Sequence, residues 1–168
     1  MKSFIYLTLL LLISCVNNNP NVSTKSMLIS DNKLLVQSFK KWISLNKTGN
    51  YSYNVFVSSF SGYQSNTKII VKNNKVIARE FSSMGLAPKL VEWKETAGKL
   101  GSHKSGASLK LMERLYRECA KILKADKSKN NLTLTFDKSG LLNYCVSAPK
   151  GCMDDCSSGV KISSISMQ

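Results

Sequence analysis

The chain has 168 residues, 43% of them hydrophobic and 8% aromatic, with nine glycines, three prolines and a formal charge of +14. This is length and apolar content for one domain with one core, and it excludes a collagen-like, Pro-rich or wholly disordered chain. The charge is almost all lysine, scattered from Lys25 to Lys161 without a block. A nucleic-acid binder gathers basic residues on one face among aromatics, so no nucleic-acid partner is expected, and the charge suits diffuse attraction to anionic lipid headgroups or an anionic envelope polymer.

Lys2 followed by the apolar run Phe4 to Ile13 and then Ser14-Cys15 has the layout of a secretory signal, and ten apolar residues do not span a bilayer. Leu12-Ile13-Ser14-Cys15 resembles the bacterial lipobox, which implies removal of residues 1–14, acylation of Cys15 and attachment to membrane lipid. By resemblance to Gram-negative lipoproteins, Val16 behind the cysteine implies the outer membrane. Residues 15–30 then read as a lipidated cysteine and a flexible tether, and residues 31–168 as a single domain. Asn-x-Ser/Thr sequons at Asn21, Asn46, Asn50 and Asn131 leave open an ordinary eukaryotic secreted protein.

Asp31 is placed to cap a first helix, with Leu35, Phe39, Trp42 and Ile43 on its apolar face, ending near Thr48-Gly49-Asn50. From Tyr51 the period becomes two: Tyr51, Tyr53, Val55 and Val57 alternate with Ser52, Asn54, Phe56 and Ser58, a half-buried strand. Residues 68–72 and 75–81 form a hairpin around Asn73-Asn74, since asparagine tolerates the positive φ of a primed turn. Lys89 to Glu95 supplies a fourth strand, and Gly98 to Gly106 is a loop. Ser108 is expected to cap the second helix, whose stripe is Leu111, Leu115, Cys119, Ile122 and Leu123. A second hairpin joins residues 132–136 to 141–146 with Gly140 at the turn, and a last strand covers Val160 to Ser166. The fold class is α+β: an antiparallel sheet of roughly six to seven strands with two amphipathic helices on one face.

Without Cys15, four thiols remain: Cys119, Cys145, Cys152 and Cys156. An even number in an exported domain argues for disulfides, with Cys119 reaching the C-terminal hairpin or tail and one local bridge in the remaining trio, its pairing open. A metal or redox site over Cys145 to Cys156 with Asp154-Asp155 is disfavoured, because closely paired Cys or Cys/His ligands and a C-x-x-C are missing. Asp154-Asp155 reads as a solvated turn rather than a calcium site. Gly98 to Ser105 mimics a phosphate-binding loop, yet His103 stands where glycine is needed. His103 acting as a base on Cys119 is likewise disfavoured. No catalytic residue, metal or cofactor is assigned.

Tyr51-Ser52-Tyr53, Lys72-Asn73-Asn74-Lys75-Val76, Trp93-Lys94-Glu95, Leu115-Tyr116-Arg117-Glu118-Cys119 and the segment from Gly140 through Cys145 to Cys152-Met153-Asp154-Asp155-Cys156 resemble a domain of unknown function in bacterial envelope lipoproteins. The resemblance spans residues 31–168 and implies the architecture and an envelope location. The expectation is a membrane-anchored, non-enzymatic binding or structural domain that meets an envelope protein or anionic polymer. The alternative is a secreted inhibitor whose inserted loop carries Lys99, His103 and Lys104, with an envelope hydrolase or redox protein the lesser one.

Overall fold

A computed structural model describes residues 20–85, 90–153 and 155–168, with side chains from residue 30 onward. Among these residues it has two helices and eight strands: α1 Pro20–Leu45, β1 Tyr51–Ser58, β2 Gln64–Lys72, β3 Lys75–Met84, β4 Val91–Glu95, α2 Met112–Ile122, β5 Asn130–Phe136, β6 Leu142–Pro149, β7 Ser158–Lys161 and β8 Ser164–Met167. The α+β class and the antiparallel pairing agree with the sequence. The single sheet does not: the strands form a five-stranded sheet in the order β4-β3-β2-β1-β8 and a three-stranded sheet in the order β5-β6-β7.

The split occurs in the segment read as one last strand. Ile162 and Ser163 part β7 from β8; the Ile162 N–H donates to the Asn143 carbonyl of the small sheet, and the Ser163 N–H donates to the Asn54 carbonyl of the large one. Two residues thereby stitch the sheets together, and Ile162 is buried at the seam. The β2–β3 turn is as expected, with Asn73 and Asn74 at φ 50° and 57°. Gly49 supports it at φ 69°, where a Cβ would stand 2.8 Å from the Asn74 backbone nitrogen.

The first helix begins at Pro20, not at Asp31, so part of the expected tether is helical. Proline suits a first helical turn because the missing N–H would have no partner there. Asp31 instead takes an ion pair from Lys127 at 3.0 Å. Leu35, Ser38 and Trp42 turn inward, while Ile43, expected on the apolar face, is exposed. Ser108 does not cap α2 either; the N-cap is Leu111, in extended conformation and with no side-chain bond. The helix start is satisfied from the sheet: the Tyr51 hydroxyl accepts the Met112 N–H at 3.1 Å, and the Tyr53 hydroxyl donates to the Lys110 carbonyl at 2.6 Å.

The core lies where α2 crosses the inner faces of both sheets. Trp42, Tyr51, Ile69, Met112, Leu123, Leu142 and the Cys119–Cys145 pair are almost completely buried in it. Tyr116 ties three elements together, its hydroxyl lying 2.8 Å from Ser38 Oγ on α1 and accepting the Leu142 N–H of β6 at 3.0 Å.

Candidate functional site

Alternation along β3 and β4 sends Arg79, Phe81, Trp93 and Glu95 to the inner face of the large sheet, where register pairs Arg79 with Glu95 and Phe81 with Trp93. Neither helix covers this end of the sheet. The chain following β4 does so, folding back over the residues that precede it.

Glu95 holds that segment. Its carboxylate is fully buried and accepts a two-pronged contact from Arg79, Nη2 to Oε1 at 2.8 Å and Nε to Oε2 at 3.0 Å. Oε1 also accepts the His103 N–H at 2.6 Å, His103 Nδ1 at 3.0 Å and the Ser102 hydroxyl at 3.1 Å, and Oε2 accepts the Gly101 N–H at 2.8 Å. The Arg79 guanidinium, with the N–H groups of His103 and Gly101, holds the Glu95 carboxyl far below the usual carboxylate range against the cost of burial. An ionised Glu95 requires that His103 Nδ1 carry a proton. Arg79 completes its own bonding with the His103 and Ala107 carbonyls at 2.8 and 3.0 Å.

Aromatic stacking clamps the other side. The Trp93 ring lies between Phe81, with centroids 5.0 Å apart, and His103, 4.3 Å apart and tilted by 3°. The Arg79 guanidinium carbon sits 4.7 Å from the Trp93 centroid. Gly106 passes so near that a Cβ would lie 3.1 to 3.2 Å from Phe81, Thr67 and Trp93, and the Ala107 N–H then donates to Thr67 Oγ1 at 3.0 Å. The outcome is a loop without regular structure whose backbone is fixed by a buried charge pair.

The sequence singled out Lys99, His103 and Lys104 in this loop. All three side chains are exposed to some degree, with His103 at 43% while its Nδ1 edge faces Glu95. Sequence reasoning missed the supports, Arg79, Trp93, Ser102 and Glu95. The available signal was Arg79, one of only three arginines and at a core-facing position of an alternating strand.

The cysteines pair as Cys119 with Cys145, Cα atoms 5.5 Å apart, and Cys152 with Cys156, Cα atoms 6.3 Å apart. This supplies the connectivity the sequence left open, and it commits Cys119 to a bridge rather than to His103. Among the described residues no group of three His, Cys, Asp or Glu side chains stands together to hold a metal ion, and no helix is long and apolar enough to cross a membrane. Cys15, the signal at 1–14 and Asp154 lie outside the described residues. Comparison with family models, with curated proteins and with solved structures returns no match.

Proposed function

We propose that this protein is an exported binding domain of a bacterial envelope, held at a membrane through acylated Cys15, that engages an acidic envelope partner with the loop between β4 and α2. One observation carries the reading of the loop. A buried carboxylate, Glu95, spends its bonding capacity on the loop's own backbone and side chains together with Arg79. A fixed loop loses little conformational freedom on binding, so its exposed lysines meet a partner already ordered. The lipobox at Leu12 to Cys15 and the resemblance to envelope lipoproteins support the location. The same fixed loop also suits the second reading, a secreted inhibitor inserting it into a foreign enzyme; an acyl group on Cys15 separates the two.

The test places a photo-crosslinking amino acid at Lys99 or at Lys104 in the native host, with exposed Lys33 on α1 as the control position. The expected result is a discrete adduct from both loop positions, weakened by salt as a charge contact should be, and absent from position 33. Adducts identical at all three positions, or none from the loop, would contradict the proposal, as would full partner retention by the Lys99→Ala/His103→Ala/Lys104→Ala variant.

A further inference from the structure

Two large apolar side chains stand almost wholly in solvent: Phe60, 92% exposed at the tip of the β1–β2 turn, and Met153, 94% exposed in the span closed by Cys152 and Cys156. They belong to one pole of the molecule, because the Phe60 N–H donates to Asp155 Oδ2 at 3.0 Å and so joins the turn of the large sheet to the tail of the small one. Phe56, Met84 and Leu90, also exposed, line a shallow groove at the same end of the large sheet. Isolated exposed apolar residues need no explanation, but a cluster at one end of a molecule on which none of the described residues packs marks a contact surface.

The course of α1 says what lies opposite. Its C-terminal part meets the far pole, with Trp42 against Tyr51 and Lys41 beside the β5–β6 turn at Gly140. Its earlier part pairs Asp31 with Lys127, next to the Lys150-to-Lys129 backbone bond that closes the other end of the small sheet. The helix therefore runs N-terminally toward the Met153 pole and continues for eleven residues before Asp31, to Pro20, about 16 Å of helix. Cys15 precedes Pro20 by only five residues. Among the described residues the charge at this pole is mixed, with a small excess of lysine: Lys124, Lys129 and Lys150 are exposed, Asp126 faces Lys129 and Lys150, Asp31 pairs with Lys127, and Asp155 Oδ2 accepts the Phe60 N–H.

We infer that this pole is a membrane-contact surface: Phe60 and Met153 enter the interface of an anionic bilayer while Lys129 and Lys150 meet its headgroups. The inference rests on the anchoring at Cys15 proposed above and adds an orientation to it. The surface adds a protein contact to the lipid anchor and sets how the domain faces the bilayer, and exposed lysines and apolar tips are the elements with which a protein surface meets an anionic bilayer.

The experiment uses the full protein, processed in a bacterial host and carrying Phe60→Trp, reconstituted into phosphatidylglycerol-containing vesicles whose acyl chains are brominated. Intact mass reports acylation of Cys15 independently. The expected result is an acylated protein in which the introduced indole, after subtraction of the parent signal, loses about half its emission to the brominated lipid, since an interfacial side chain sits within reach of the upper acyl chain. Lys129→Glu/Lys150→Glu in the same background is expected to abolish most of that quenching, and unchanged near-ultraviolet circular dichroism confirms that both variants are folded. An acylated, vesicle-bound protein whose indole is not quenched overturns the orientation and leaves the anchor standing. An unacylated protein overturns the anchor and this inference with it.

Discussion

Opening the two disulfides separately distinguishes a bridge that sets the fold from one that shapes a surface. The Cys119–Cys145 bridge closes a sequence separation of 26, for which chain entropy gives about 3.5 kcal/mol at 25 °C, and Cys152–Cys156 closes a separation of 4, for which it gives about 2 kcal/mol. The environments widen the gap. Cys119 and Cys145 are fully buried between α2 and β6, so replacing them also removes packed sulfur atoms from the core, whereas Cys152 and Cys156 are exposed. In a domain of this size each kcal/mol shifts the melting midpoint by about 2–4 °C. Cys119→Ala/Cys145→Ala is therefore expected to lower Tm by about 7–14 °C or more, and Cys152→Ala/Cys156→Ala by about 4–8 °C at most, both read by circular dichroism under non-reducing conditions. Equal losses, or a core-bridge loss under about 1 kcal/mol, would refute the reasoning, because they would mean the bridge constrains neither the unfolded chain nor the core.

Glu95 makes stability depend on pH in a stated direction. Its folded pKa lies far below its ordinary 4.5, so its contribution is complete above about pH 4.5 and is lost as pH falls from there. Glu118 and Asp126 are also lowered and act in the same sense, so the test is the difference between parent and Glu95→Gln in urea melts from pH 7 to 3: a gap that narrows as pH falls agrees, and a constant gap does not. Tyr51→Phe leaves the Met112 N–H at the start of α2 without its acceptor and should cost about 1–3 kcal/mol in the same melts, whereas a loss below 0.5 kcal/mol would show that another acceptor replaces it. Burial also pushes the Tyr51 hydroxyl up to about 12, so in an alkaline absorbance titration its ionisation should follow unfolding rather than precede it. Gly49→Ala should destabilise by more than about 1 kcal/mol, since the position needs φ 69° and the new Cβ meets Asn74.

Local patterns were legible and tertiary ones were not. The strand from Tyr51, the asparagine pair at the β2–β3 turn and the stripe of α2 each lie within one element, so local pattern reveals them. The alternation expected along that strand does not hold, since Tyr51, Ser52 and Tyr53 are all buried under the core and Phe56 to Ser58 are all exposed where the strand runs beyond it. The division into two sheets rests on Ile162-Ser163, two ordinary residues without glycine or proline, and the change of partner there comes from Asn143 and Asn54 in distant strands. Ser108 has the chemistry of a cap, but a tyrosine from 61 residues earlier in the chain serves the start of α2 instead. Asp31 similarly looks like a cap because nothing nearby reveals that Lys127 is its partner. The candidate site divides the same way. Its exposed lysines and histidine are visible as a polar loop, while the pair that fixes it, Arg79 and Glu95, becomes a unit only when β3 and β4 come into register.

The central claim is an acylated, disulfide-braced binding domain, and the most direct test is the intact mass of the protein extracted from membranes of its native host, with thiol alkylation before and after reduction. The expected result is loss of residues 1–14, an acyl adduct on Cys15, no alkylated cysteine before reduction and four after it. An unacylated chain, or free thiols among Cys119, Cys145, Cys152 and Cys156 before reduction, would contradict it.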